Sequence, residues 1–164
     1  MRHEAVTEVR ERPADGYADV YAQRYADMVR LAALTTGSAS LAEELVQDAF
    51  AQLYRRWAEV AEPERWLRRA VISQCTSWVR RRVLERRHAG TTEVPSPVDL
   101  ADSDALAVRA ALACLTPRQR AAVFLRYYAD LPEAEIAASL GCRPGTVKSL
   151  LNRGLAAMKE HLDD

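Results

Sequence analysis

Pro132-Glu133-Ala134-Glu135-Ile136-Ala137-Ala138-Ser139-Leu140-Gly141-Cys142-Arg143-Pro144-Gly145-Thr146-Val147-Lys148-Ser149-Leu150-Leu151-Asn152-Arg153 is the stretch that decides the fold. Its first part favours a helix, and Gly141 accepts the left-handed conformation that follows a helix terminus. Cys142 to Gly145 turn the chain. Pro144 suits the first position of a second helix, where its missing N–H has no intrahelical partner to lose, so that helix is expected from near Thr146. At about 100° per residue, Val147, Leu151, Leu155, Met158 and Leu162 fall on one side, and Thr146, Ser149, Asn152 and Arg153 on the other. One side packs and the other is free to read. A helix fits the DNA major groove, where Arg bridges guanine acceptors, Asn pairs with adenine, and hydroxyls reach phosphates or base edges. Arg143, Lys148 and Arg153 add positive charge with no acid between them. An ordinary helical hairpin with a solvated polar face is the alternative for this segment taken alone.

Outward from this hairpin, 164 residues allow one large domain or two small ones, and 49% apolar residues suffice for a core. The formal net charge is zero, which taken globally argues against a nucleic-acid binder. Its distribution reverses that impression: residues 63–92 hold eight arginines against Glu64 and Glu85, a net of +6, between segments of −4 (1–62) and −2 (93–164). Cys75, Cys114 and Cys142 form no Cys-x-x-Cys pair, and His3, His88 and His161 lack ligand spacing, so no metal site is expected. No cofactor motif, nucleophile–base pair or phosphate-cradling glycine loop is present either, so neither a catalytic residue nor an enzyme is expected. No apolar run reaches signal-peptide or membrane-span length, which leads to an expected cytoplasmic protein with no membrane insertion.

Periodicity predicts helices at 16–35, 40–57, 63–88, 104–114, 117–129, 132–140 and 145–161, with no convincing strand, and so an all-α fold. Ser40 with Glu43 reads as a capping box, and Thr116-Pro117-Arg118-Gln119 as a second with proline at the first helical position. Residues 89–103 carry two prolines and no periodic apolar face, and read as a flexible acidic linker. The expected organisation is an N-terminal extension (1–15), a helical domain (16–88), the linker, and a second helical domain (104–164).

The 40–57 helix has a broad apolar face of Leu41, Leu45, Val46, Ala49, Phe50, Leu53, Tyr54 and Trp57, part of it left over for a partner. Glu43, Glu44, Gln47, Asp48 and Gln52 make an acidic opposite side suited to a basic helix of another protein. In the next helix Arg69, Ser73, Thr76, Arg80 and Arg87 form one stripe with Trp66 and Ser77 beside it. Arginine, hydroxyl and indole describe a surface for a sugar-phosphate backbone with a base stacked nearby, whereas Trp78 lies on the apolar side with Leu67, Val71 and Cys75.

Leu41-Ala42-Glu43-Glu44-Leu45-Val46-Gln47-Asp48-Ala49-Phe50 resembles the conserved-region 2.2 signature of bacterial sigma factors. Trp66-Leu67-Arg68-Arg69 with Thr76-Ser77-Trp78-Val79-Arg80-Arg81-Arg82 resembles the promoter-melting, minus-ten-reading helix, and Leu115 to Ser149 resembles region 4. The match, in order and spacing from Tyr17 to Leu162, is to the small extracytoplasmic-function (ECF) sigma factors, in their SigE-like branch. The resemblance implies a region 2 helical bundle and a region 4 helix-turn-helix. It implies core RNA polymerase as partner, held through Glu43, Glu44, Gln47, Asp48, Phe50 and Gln52. Promoter DNA would be read at minus-35 by Arg143, Thr146, Lys148, Ser149, Asn152 and Arg153. At minus-10 the readers would be Trp66, Arg69, Ser73, Thr76, Arg80, Arg81 and Arg87, with a base flipped near the 58–65 loop. An anti-sigma factor is a further implied partner, and the free chain is expected to be a monomer.

Four positions depart from the family pattern: Ser73 stands where asparagine is usual, Arg143 replaces a capping serine, Pro132 takes a second capping position, and Leu150 a common polar DNA contact. The competing readings are a one-component helix-turn-helix regulator, for which the region 2.2 motif and basic stripe would be accidental, and a helical adaptor, against which two basic DNA-facing helices count.

Overall fold

A computed structural model describes residues 14–90 and 103–163. Among them lie seven helices and no strand: α1 (Ala14–Thr36), α2 (Ala39–Arg55), α3 (Pro63–Ala89), α4 (Ser103–Ala113), α5 (Pro117–Tyr127), α6 (Glu133–Leu140) and α7 (Pro144–Asp163). The all-α expectation holds. The N-terminal extension and the linker read from the sequence fall, over 1–13 and 91–102, outside the described residues.

The helix ends follow local chemistry. Thr116 Oγ1 accepts from the Gln119 N–H (3.3 Å) while Gln119 Oε1 accepts from the Thr116 N–H (2.8 Å), the reciprocal box expected there. The box expected at Ser40 is not formed. Ser38 is the N-cap of α2, its Oγ accepting from the Leu41 N–H at 3.4 Å, because Gly37 at φ 78° ends α1 and sets the next helix to start at Ala39. Pro132 caps α6 through backbone geometry without a side-chain hydrogen bond, and Gly141 closes it at φ 62°, in the left-handed region. The second helix of the hairpin starts at Pro144, two residues before Thr146.

α1, α2 and α3 form one bundle and α4 to α7 another. Met28, Leu31, Val46, Phe50, Leu53, Leu67 and Val71 fill the first; Leu125, Ile136, Val147 and Leu151 lead the second, and the buried apolar cluster runs on from one to the other. Tyr17 ties α1 to α2, its ring edge-on to Phe50 and Trp57 and its hydroxyl donating to the Phe50 carbonyl at 3.1 Å. The Arg24–Glu64 ion pair (2.8 Å) ties α1 to α3. The apolar stripe expected on α7 is corrected: Val147 and Leu151 are buried, but Leu155 and Leu162 are exposed. Gly154 takes the place of Leu155 in the seam, close against Val123, Gln119 and Leu115, so the packed face turns toward the side without a Cβ.

The two bundles touch along two seams. α5 lies on α1, and α6 on α3. The separation a long linker would permit is therefore not the arrangement of this structure.

Candidate nucleic-acid interface

α3 begins with Pro63 after Glu62 and runs for 27 residues to the left-handed Gly90. Leu67, Val71, Ile72 and Cys75 bury one side of it, which leaves the arginine stripe on the other. Arg69, Ser73, Thr76, Ser77 and Arg80 line one cleft of about 300 Å³. Trp66 and Arg69 line a second, of about 580 Å³, with Arg56 and the segment Glu59 to Glu62. The stripe, the indole and the loop that the sequence reading assigned to a flipped base thus meet at one place. Thr76 Oγ1 donates to the Ile72 carbonyl at 2.8 Å, so its hydroxyl is held by its own helix. Arg81 and Arg87 are exposed farther along α3 and line neither cleft.

On α7 the Arg143 carbonyl accepts from the Thr146 and Val147 N–H groups, starting the helix. Arg143, Thr146, Lys148, Ser149, Asn152 and Arg153 are all exposed on one outward face. Ser149 Oγ donates to the Gly145 carbonyl at 3.2 Å. Leu150 is half-buried and packs against the core, so it serves the domain and not the outward face.

On α2, Glu43, Glu44, Gln47 and Asp48 are exposed and Gln52 half-buried, as a partner surface requires. Phe50 is a correction: at 1% exposure, beneath Tyr17, Tyr21 and Tyr25, it holds the bundle together and cannot touch a partner. The apolar side chain that does reach solvent beside the acidic face is Tyr54, 62% exposed.

Sequence reading missed the far walls of the α3 clefts, which come from the second bundle. Arg118, Ser139, Leu140 and Gly141 face the stripe, and Ala137, Ala138 and Cys142 face Trp66. Glu135 Oε2 lies 3.5 Å from Arg68 Nη2 and 3.7 Å from Arg65 Nε. Burial lowers the pKa of the Arg68 and Arg120 guanidiniums, with Glu135 opposing the effect at Arg68. At Arg65, hydrogen bonding to Glu62 and the charge of Glu135 raise it. Desolvation, then the neighbouring Tyr21 and Tyr54, raises that of Tyr17. Burial pushes the Cys75 thiol up to about 12. No group of three or more His, Cys, Asp or Glu is placed to hold a metal ion, and no helix is long and apolar enough to cross a membrane, among the described residues.

One helical bundle thus carries a basic, cleft-lined face, and the second an exposed helix with a basic and polar outward face. Residues 20–84 match the model of sigma-70 region 2, and residues 105–158 that of sigma-70 region 4. The RNA polymerase sigma-E factor of Streptomyces coelicolor is 38% identical over 128 residues, covering 74% of this chain and 71% of that protein. The ECF RNA polymerase sigma factor SigL of Mycobacterium tuberculosis is 33% identical over 158 residues, 88% of each chain. In fold, the chain is similar to the Bartonella quintana sigma factor RpoE, solved with the anti-sigma factor NepR, at a TM-score of 0.78 and 22% identity over 92% of this chain and 98% of that one. The chain belongs to the ECF sigma factors of the sigma-70 family, which direct RNA polymerase to promoters.

Proposed function

We propose that this sigma factor divides its work among three surfaces. The α7 face of Arg143, Thr146, Lys148, Ser149, Asn152 and Arg153 reads the minus-35 duplex through the major groove. The α3 face of Trp66, Arg69, Ser73, Thr76 and Arg80, continued by Arg81 and Arg87, holds the opened minus-10 strand by phosphate neutralisation and stacking. The α2 face of Glu43, Glu44, Gln47, Asp48 and Gln52 engages core RNA polymerase, with Tyr54 in place of Phe50. The domains carrying these surfaces are residues 16–88 and 104–164. No catalytic group, metal or cofactor of this chain takes part; phosphodiester chemistry stays with the polymerase. The factor works in the cytoplasm, is a monomer when free, and is held in check by an anti-sigma factor.

The observation that carries the reading is the convergence of Trp66, Arg69, Ser73, Thr76 and Arg80 on two adjoining clefts beside the Arg56–Glu62 segment. Arginines on a merely solvated helix face need no indole and no loop beside them. The test is run-off transcription by bacterial core polymerase on fragmented GC-rich genomic DNA, with and without this protein, followed by sequencing of the new starts. Discrete starts sharing two upstream motifs are expected. Protein-dependent DNA binding with no new starts would overturn the reading in favour of a regulator that needs another sigma factor.

A further inference from the structure

Arg69 and Arg80 of α3, Arg118 of α5 and Ser139 of α6 bring three guanidiniums and a hydroxyl to one cleft of about 300 Å³, with Ser73 and Ser77 beside them. Among the described residues no carboxylate lines it. The ion pairs of α3 lie elsewhere: Glu64 with Arg24, Arg65 with Glu62 and Glu135, Arg68 with Glu135, and Arg82 with Glu85. Arg69 and Arg80 form neither an ion pair nor a hydrogen bond with any described residue. Thr76, in contrast, spends its hydroxyl on the Ile72 carbonyl.

The opposite wall adds two observations. Arg118 donates from Nη2 to the Leu140 carbonyl at 3.2 Å, which fixes a cation over the negative end of α6. Ser139 is 2% exposed, and its Oγ is buried with no hydrogen-bond partner among the described residues. Buried hydroxyls are almost always hydrogen-bonded, so one left over in the wall of a basic cleft points to an acceptor supplied by a ligand.

Three converging positive charges repel one another, and a compact anion with several acceptor oxygens relieves that repulsion. One phosphate group carries about two negative charges at pH 7, fewer than the guanidiniums supply. Two linked phosphoryl groups match the charge and fill more of the cleft. The adjoining cleft of about 580 Å³ shares Arg69 and Gly141 with the first and is lined by Trp66. A nucleoside attached to the diphosphate therefore has an indole on which its base can stack.

We infer that the cleft between α3 and the α5–α6 segment is a binding site for a diphosphate group, free or carried by a nucleoside, held by Arg69, Arg80, Arg118 and Ser139. The site goes beyond the strand-binding reading of α3, because it needs the opposite wall. A DNA strand laid along α3 engages Arg69 and Arg80 without needing Arg118 or Ser139. Bound there, the diphosphate competes with a strand for the two shared arginines.

The test is isothermal titration calorimetry of the full chain with inorganic pyrophosphate, adenosine diphosphate and, at matched ionic strength, sulfate. Pyrophosphate is expected to bind at a single site, about tenfold or more tighter than sulfate. Arg118→Ala should weaken it about tenfold, and Arg118→Lys, which keeps the charge but not the fork, should fall between. Ser139→Ala removes a hydroxyl without a partner in the chain. It should leave the melting temperature unchanged or higher while weakening pyrophosphate roughly threefold. Arg69→Ala with Arg80→Ala, at exposed positions the core does not use, should abolish binding.

Adenosine diphosphate that binds tighter than pyrophosphate, with the advantage lost in Trp66→Ala, identifies a nucleoside as the carrier; equal affinities identify the inorganic anion. Pyrophosphate no tighter than sulfate would overturn the site, as would unchanged affinity in both Ser139→Ala and a folded Arg118→Ala. Fluorescence anisotropy with a labelled random single-stranded DNA pool separates the two readings. Strand binding should fall in Arg69→Ala with Arg80→Ala and hold in Arg118→Ala. If it holds in both while pyrophosphate binding is lost, the diphosphate site stands and the strand-binding reading fails.

Discussion

The two bundles solve the same problem with different materials. The first packs large side chains, Phe50, Leu31, Leu53 and Leu67, under a layer of tyrosines and Trp57. The second packs Leu125, Ile136, Val147 and Leu151 around Ala121, Ala122, Ala137 and Gly154. A core of large side chains can carry a 27-residue helix whose outer face is rich in arginine and hydroxyl, because α3 needs only one packed side to stay in place. The small residues of the second bundle bring the α5 and α7 backbones close. Its helix ends are fixed by a reciprocal cap on α5 and left-handed Gly141 after α6. The contrast is one of aromatic layering in the first bundle against close approach of α5 and α7 at a glycine in the second.

The sharpest way to break this contrast is Phe50→Ala. Phe50 is fully buried against three tyrosine rings, and truncation of a buried aromatic costs about 3–5 kcal/mol. Chemical denaturation of the full chain should lose that much, with polymerase binding falling only in step with the folded fraction. A loss of polymerase binding in a still-folded variant would restore Phe50 as a direct contact. The same core gives region 2 a pH signature. Cys75 keeps its proton up to about 12 in the folded chain, from an ordinary value of 9.0. Its folded pKa is raised, so the contribution is complete below about pH 9 and is lost as pH climbs toward 12, at most about 4 kcal/mol across that window. Urea denaturation at pH 8 and pH 10.5 should show the decline, and Cys75→Ala should reduce it.

On the functional faces the expected effects are smaller and of opposite kind. Arg80→Ala with Arg81→Ala removes two proposed phosphate contacts from a face the core does not need. It should slow open-complex formation and lower the salt slope of strand binding by about 1.4, with polymerase binding intact. Asp48→Arg should weaken holoenzyme assembly about tenfold and leave strand capture unchanged. Equal losses in both assays for either variant would sink the division of labour between α3 and α2.

Where the sequence was legible, the signal was local. Thr116 with Gln119, Gly141 with Pro144, and the i, i+4, i+7, i+11 spacing of Arg69, Ser73, Thr76 and Arg80 each lie within one helix or turn, and each reappears in three dimensions. Ser40 was misread because two serines, Ser38 and Ser40, compete for one cap, and the choice falls to Gly37 and the buried Thr36, whose hydroxyl accepts from the Ser38 N–H. Phe50 was misassigned because an apolar face broader than one helix neighbour can cover gives no sign of which positions α1 will take. The far walls of the clefts were invisible for a stronger reason. Glu135 meets Arg68 across 67 residues of chain, and the only hint was charge: two acids, Glu133 and Glu135, on a short helix of a protein whose basic stripe lacks a partner.

Gly154→Ala gives the smallest effect and tests region 4's half of the contrast most directly. In a helix interior, glycine costs roughly 0.5–1 kcal/mol relative to alanine. A Cβ at 154 would lie 3.5 Å from Val123 Cγ2, 3.6 Å from Gln119 Cβ and 3.8 Å from Leu115 Cδ1, ordinary contact on every side. If the approach at Gly154 is merely close, the methyl fits, and the helix preference should appear as a gain of about 0.5–1 kcal/mol in thermal or chemical denaturation. Valine at the same position adds a branch where α5 leaves no room, and should reverse the sign. A destabilised alanine variant would mean that α7 and α5 are already at the limit of approach. The second bundle's stability would then rest on close packing as much as on the caps at its helix ends.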